Sequence, residues 1–439
     1  MNHTAQLTVF GGAGEHGRAC FHLQTKSLSL LLDCGAKKSG GGEYPLLSPG
    51  KIAGLCAVFL SHAHEDHAMA IPLLYKLGYR GKVWATRATM QKLPQYFSAW
   101  EQYAGGHGSL PYERRHIAQI RFACMEDTVS PGNWTELFPG LSVLWGKSGH
   151  TLGAIWLMLD MEGKCIFFSG DMSTEGRLLA ADAPLARTTP AGSAASAEPV
   201  CDLAIVEAAY GPDDEDQQAK LTRLAQSARF ILTKQGWLLL PVPFIGRGQD
   251  LLVWASESFP QTLLLAEEDL VVTLQQMLAC PEWLRPGAAA AINRVLTSPS
   301  LRVIQNARER KKAMSGQPGG IILTGDGMLQ TTAARWYYRQ IQNHADSGVI
   351  FTGHLAAGSP GYRLWNSPAK SAAGCKVDVT HYKVHQGLND VRQLLQRLPS
   401  RHAVFFHTGK AAADALCRTL SPECAGSLHS LIPGDTLNF

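Results

Sequence analysis

Three histidines and two acids crowd the six positions His62-Ala-His64-Glu-Asp66-His67, directly behind the apolar run Leu55–Leu60. A short apolar run that stops at a polar turn reads as a buried strand. A core gains nothing from imidazoles and carboxylates gathered at the end of such a strand. In an extended segment residues two apart face the same way, so His62 and His64 can address one position. The chain then turns and carries Asp66 and His67 toward a second position. Neutral imidazole with carboxylate suits zinc, or manganese where carboxylates dominate. A merely solvated polar turn accounts for single histidines, not for four candidate ligands at this spacing.

More ligands stand in matching contexts. Asp33 in LLLDCG, His150 in KSGHTLGA, Asp171 in FFSGDMS, Glu207 in DLAIVEAAYG, His385 in YKVHQGLND and His407 in AVFFHTGK each follow a strand-like run or sit in a glycine-flanked turn beside one. The strands expected in the first half are Gln6–Phe10, Ser27–Leu32, Ala57–Leu60, Lys82–Ala85, Leu141–Leu144, Ala154–Asp160, Cys165–Ser169 and Leu203–Val206, with a helix over Ala68–Leu77. Strands with few long helices between them predict an α+β sandwich and not a doubly wound sheet.

At 439 residues the chain exceeds one ordinary core. From Tyr210 to Pro368 the pattern changes to α/β, with helices over Gln217–Gln235, Leu251–Phe259 and Ala266–Cys280 and buried strands at Trp237–Pro241, Ile321–Leu323 and Val349–Phe351. Lys376–Val379, a helix at Asn389–Leu398 and the strand Ala403–Phe406 resume the first style. The expected organisation is one domain, 1–209 and 371–439, interrupted by another, 210–370. Ala180–Pro199, rich in Ala, Ser, Thr and Pro, reads as a mobile surface loop.

The first residues lack the basic and apolar regions of a secretion signal. No apolar run approaches the ~18 residues of a membrane helix, and ten scattered cysteines contain no C-x-x-C pair. Reduced thiols in a cytoplasmic protein with no membrane partner are expected. A net charge of +4 permits a polyanionic partner without demanding one. The basic runs at Arg308–Lys312 and Tyr112–His116 read first as solvated faces and only second as nucleic-acid contacts.

The ordered series of motifs resembles the metallo-β-lactamase fold and, within it, the β-CASP nucleases, over essentially the whole chain. The histidine motif marks the superfamily. The insert between Glu207 and His385, the late histidines, and PFIGRGQDLL, GDGMLQ and FTGHLAAGSPG in the same order narrow it. The resemblance implies an αββα sandwich interrupted by an inserted α/β domain and a centre of two zinc ions. His62, His64 and His150 would hold one metal, Asp66, His67 and His407 the other, and Asp171 would bridge them. Asp33 would orient the site from behind. Glu207 and His385 would act near the scissile group and, with Asp66, form the catalytic set. Without the metal pattern around it, the Glu207–His385 pair would read as a buried structural hydrogen bond.

The implied activity is cleavage of single-stranded RNA by an activated water, with the Glu207–His385 pair assisting protonation of the leaving group. The histidine at 407 leans toward RNA-acting branches. Glu207 in EAAYG is similar to the cleavage-and-polyadenylation endonuclease branch, whereas GGAGEHG and HAHEDH lean toward ribonuclease J. Ala208-Ala209 departs from the family's usual small hydroxyl pair, and His354 from its usual tyrosine or serine. Arg247, His354, Gly358 and Ser359 are candidate substrate contacts. For Arg247 an interdomain ion pair stands beside phosphate binding, and for His354 a tolerated polar substitution stands beside contact with substrate. The alternatives are a DNA-acting nuclease of the same family, a small-molecule metallo-hydrolase, which an insert of about 160 residues disfavours, and an inactive scaffold. A homo-oligomer or processing complex is a further expectation.

Overall fold

The computed structural model describes residues 4–184, 201–367 and 374–439. The loop expected at Ala180–Pro199 lies outside them from residue 185 onward. Two compact units divide the chain, one of Met1–Thr174, Ala181–Asp214 and His385–Phe439, the other of Glu175–Ala180 and Glu215–Val384.

The first unit holds two seven-stranded sheets. One runs Thr436–Asn438, Gln6–Gly11, Cys20–Gln24, Ser29–Leu32, Ala57–Phe59, Val83–Ala85, Phe122–Cys124. The other runs Ser427–His429, Ser400–Phe406, Cys201–Glu207, Lys164–Phe168, Ile155–Met161, Leu141–Lys147, Thr135–Phe138. Phe21 of the first sheet meets Phe168 and Phe406 of the second at ring separations of 5.9 and 5.1 Å. Those three fully buried rings mark where the sheets face each other.

Alternation along each strand assigns the other face to helices. Ala403 and Phe405 pack with Val391 and Leu395 of the helix Leu388–Arg397 and with Leu416 of Lys410–Leu420. Leu31, Val58 and Val83 pack with Ile71 and Leu74 of Ile71–Lys76 and with Leu93 and Trp100 of Arg87–Gly105. The result is the αββα sandwich that the sequence led one to expect.

Strand direction decides where side chains gather. Ser29–Leu32 and Ala57–Phe59 are parallel neighbours. Lys164–Phe168, Cys201–Glu207 and Ser400–Phe406 are parallel to one another. Parallel strands end at the same sheet edge, so Asp33, His62, Asp171, Glu207 and His407 are all delivered by carboxyl ends.

The second unit, taken by itself, has a six-stranded sheet in the order Leu301–Ile304, Leu264–Glu267, Gly320–Thr324, Trp237–Pro241, Gly348–Phe351, Lys376–Val379, parallel throughout. Its inner strands are continuous apolar runs, as a sheet covered on both faces requires.

Three expectations change. Lys376–Val379 does not rejoin the sandwich; it pairs with Gly348–Phe351 in the insert's sheet, because a strand's partner is set by tertiary docking and not by its own composition. Ala68–Leu77 is two short helices, Glu65–Ala68 and Ile71–Lys76, since Pro72 has no N–H to donate and suits the start of a helix. Ala266–Cys280 begins as the end of a buried strand, Leu264–Glu267, and is helical only over Glu268–Leu278.

Phe21→Ala is expected to destabilise the chain by about 3–5 kcal/mol through the cavity it leaves between the sheets. Leu46, 52% exposed, is the control, and its replacement by alanine should shift a urea unfolding midpoint little.

Candidate metal centre

The centre starts from a carboxylate that touches no solvent. Asp33 follows the strand Ser29–Leu32 with a left-handed backbone, φ 56°. Its Oδ1 accepts the Ser61 backbone N–H at 2.7 Å, and its Oδ2 faces Ser61 Oγ at 2.7 Å and His67 Nδ1 at 2.6 Å. An ionised carboxylate only accepts, so His67 donates from Nδ1 and turns a bare Nε2 the other way. Ser61 spends its proton on Asp33, which leaves its oxygen to accept from His62 Nδ1 at 3.0 Å. His62 Nε2 is then also a lone pair. One acid thus fixes the tautomers of two histidines.

The backbone beneath is equally constrained. Cys34 N–H donates to His67 O at 2.8 Å and Ala36 N–H to Glu65 O at 2.9 Å. A Cβ on Gly35 would stand 1.7 Å from Asp66 O, and one on Gly170 2.7 Å from Ser61 Cβ. Only glycine permits these two approaches, which bring the Asp33 and Asp171 loops against the histidine turn.

Around this frame the donors form overlapping groups. His62, His64, His150 and Asp171 make the first. His64 Nδ1 lies 3.1 Å from His62 Nε2 and 3.2 Å from His150 Nε2, and Asp171 Oδ2 lies 3.6 Å from both of those Nε2 atoms. Asp66, His67 and His407 make the second. Asp66 Oδ2 lies 3.2 Å from His407 Nε2 and 3.8 Å from His67 Nε2. Asp171 Oδ1 lies 3.2 Å from His67 Nε2 and 3.3 Å from His407 Nδ1. Asp171 Oδ2 thus faces the first group and Oδ1 the second.

Glu207 and His385 adjoin them. Fully buried Glu207 accepts Ala209 N–H at 2.7 Å and Gln386 N–H at 3.0 Å, and its Oε1 lies 3.3 Å from His385 Nδ1. That same Nδ1 is 3.6 Å from Asp171 Oδ2, and Asp171, His385 and His407 form a third potential ligand set.

The donor set fits metal. Tetrahedral bonds of ~2.0–2.1 Å place donors ~3.3 Å apart, within the spread of the spacings above. Among the described residues His67 Nε2, Asp171 Oδ1, His385 Nδ1 and His407 Nδ1 are buried without a hydrogen-bond partner, and such atoms call for an unseen ion or water. Burial and then His67 hold His62 well below its ordinary pKa. Burial would do the same to His67 and His407, but Asp171 and Asp66 outweigh it and hold both well above. Burial opposes ionisation of Asp171, yet His407 and His67 keep it well below the carboxylate range. The carboxylates thus draw positive charge into a closed space, a demand that divalent cations meet with no proton needed. Glu207 is pushed up to about 8 by burial and Asp171, and burial brings His385 down to about 3.

Other candidates behave differently. Glu65 pairs with Lys38 and stays out of the donor groups. In the insert, Arg247 Nη1 donates to Thr352 O at 2.6 Å. That contact is neither the phosphate nor the interdomain partner considered from sequence. A Cβ on Gly353 would collide with that guanidinium at 1.5 Å. Burial and the Arg247 charge hold His354 below its ordinary pKa, although His354 remains exposed. Ser359 Oγ accepts Tyr362 N–H at 3.1 Å as a helix cap, and Gly358 has φ 80° with open space around it. Sequence reasoning missed Ser61, whose only signal was its place between Asp33's partner strand and His62. It also missed Tyr96 and Tyr210, whose rings lie 5.8 Å from His64 and His385 respectively.

Comparison with known proteins agrees with this architecture. Residues 13–226 match the metallo-beta-lactamase superfamily and residues 267–364 the Beta-Casp domain. The chain is 27% identical over 430 residues to transcription termination factor FttA of Methanothermobacter thermautotrophicus, covering 90% of this chain and 65% of that one. Against a probable RNase, MJ4, of Methanocaldococcus jannaschii, identity is 22%, over 94% of this chain and 95% of the other. Cleavage and polyadenylation specificity factor 73 of Drosophila melanogaster is 24% identical, over 92% and 59%. The chain spans 57–66% of the length of the FttA relatives. A crystal structure of a protein of unknown function from Enterococcus faecalis V583 superposes with TM-score 0.58 at 12% identity, covering 99% of this chain and 100% of that one, a likeness of fold alone.

Removal of Asp33's carboxylate should loosen both histidines it orients. Asp33→Asn is expected to weaken metal binding by about 10–100-fold, the usual effect of losing an orienting partner, in a chelator competition titration.

Proposed function

Because the chain belongs to the metallo-β-lactamase superfamily and carries its Beta-Casp domain, we propose that it is a two-metal phosphodiesterase that cleaves single-stranded RNA. One observation carries the reading: the oxygens of Asp171 divide between two groups of donors, His62, His64 and His150 on one side and Asp66, His67 and His407 on the other. We assign these seven residues as ligands of two zinc ions, with manganese as the substitute. When bound, such a pair supplies charge for a phosphoryl oxygen and a water of lowered pKa.

The protein's own groups do the rest. Asp33 and Ser61 keep His62 and His67 in the tautomers that leave Nε2 bare. Asp66, with Oδ2 beside His67 and His407, fixes the second position against the first. Glu207 is anchored by two backbone N–H groups with its Oε1 3.3 Å from His385 Nδ1, and the neutral His385 ring would take up the proton released by the attacking water and pass it to the departing sugar oxygen. In the insert, exposed His354 and Gly358 would contact the RNA, while Arg247 and Ser359 brace the turn that carries them. RNA is favoured by the relative named a probable RNase and by the one named for cleavage and polyadenylation. No helix is long and apolar enough to cross a membrane among the described residues, and the ten free cysteines fit a reducing, cytoplasmic setting. Assembly with itself or with a processing complex belongs to the same reading.

End-labelled RNA and DNA of one sequence, with blocked or free 5′ ends, test the proposal. Chelator-sensitive cleavage of the RNA is expected. Its absence from protein with metal bound would sink the assignment. Asp171→Ala should abolish cleavage and lower bound metal. His385→Ala should keep its metal and slow turnover by about 10²–10⁴-fold, and loss of metal in that variant would instead make His385 a ligand.

A further inference from the structure

The second unit contains a cavity of about 280 Å³ between the helices Gln217–Leu232 and Arg247–Ser258, lined by Arg177, Gln218, Thr222, Gln226, Arg229 and Trp254 among others. Two guanidiniums border this one small cavity; Arg177 is answered by Glu257 and by the nearby Asp250 charge, and Arg229 is the one left without a carboxylate among the described residues. Arg177 pairs with Glu257 and also shares it with Arg294, whose Nη2 lies 2.9 Å from Glu257 Oε1. Arg229 has no carboxylate partner among the described residues and stands 6.0 Å over the Phe259 ring. Arg177 Nε is buried and has no hydrogen-bond acceptor among the described residues. An ionised donor left unpaired away from water is unfavourable, but this atom has no surface open to the cavity, so the free charge that faces the cavity is that of Arg229.

The remaining lining narrows the chemistry. Guanidiniums present N–H forks that match phosphate oxygens. Gln218, Gln226 and Thr222 add neutral donors, as a phosphate with several oxygens requires. Trp254 is 4% exposed and supplies apolar wall. A volume at the lower end of ligand pockets suits one phosphate with a small substituent and excludes a folded polyanion.

We propose that this cavity is a binding site for a small phosphate-bearing anion, of inorganic phosphate to mononucleotide size, separate from the metal centre. The site is independent of the nuclease reading, because none of its lining residues is a metal ligand or a candidate substrate contact.

The test is isothermal titration of the full chain, stripped of metal by chelation so that the metal centre offers no cation to phosphate. Inorganic phosphate and adenosine monophosphate are the probes, and sulfate is the control. One site is expected, with phosphate or the monophosphate preferred over sulfate, and with Arg229→Gln weakening it by about 10–100-fold, as loss of a charged hydrogen-bonding partner does. Tighter binding of the mononucleotide than of phosphate would identify an ester as the ligand, and equal binding would identify the bare anion. Arg229 is exposed, so this variant should fold, and an unchanged thermal unfolding midpoint without ligand verifies it. Thr222→Val, also at an exposed position, should give a smaller loss of affinity in the same direction. No binding of either probe at millimolar concentration, equal binding of sulfate, or full affinity in Arg229→Gln would overturn the proposal.

Discussion

Everything at the centre hangs from the Asp33 carboxylate. It is fully buried, sits on a left-handed residue, and meets Ser61 twice and His67 once. A carboxylate placed so deep is unfavourable unless its lone pairs are filled, so the three contacts are a condition of the fold and not an ornament on it. They bind the strand Ser29–Leu32 to the turn after Ala57–Phe59, and they decide which nitrogen of His62 and His67 remains bare. The strained backbone at Asp33 and at His407, φ 58°, is stored where donors must converge from separate loops, as strain commonly is at functional sites.

Charge completes the constraint. Asp171 faces imidazoles of both donor groups and Asp66 faces His67 and His407, and with no cation between them these acids favour the charged form of both rings against the effect of burial. The family match, the donor spacing and the orphaned nitrogens lead to the same occupant by separate routes.

The sequence was most informative where chemistry is local. His62, His64, Asp66 and His67 announce themselves within six residues, and strand periodicity put Asp33, Asp171, Glu207 and His407 at strand ends before any topology was known. What joins those ends is the parallel order of the strands, which no local pattern encodes. The same limit explains Lys376–Val379, a clear strand whose sheet was misjudged. Ser61 escaped notice because a serine beside a histidine carries no signal until Asp33 is seen to reach it from 28 residues away. Arg247 was legible as a guanidinium in a glycine-rich turn, but its bond to Thr352 O depends on the approach of Gly353. His385 was identified with Glu207, yet its 3.6 Å approach to Asp171 appears only in three dimensions.

The bond from Gln386 N–H to Glu207 Oε2 spans 179 positions of chain, and nearly all of those positions belong to the other unit. Glu207 closes the sandwich strand before the insert departs, and His385 is the first residue after it returns. The bond from Gln386 N–H to Glu207 is therefore a clasp on the neck of a very long loop. The entropy of closing such a loop grows only with the logarithm of its length, so a domain of almost any size can hang there while the clasp keeps its shape. The neck and the centre meet at one residue: Glu207 accepts the bond that closes the loop and stands 3.3 Å from the His385 ring.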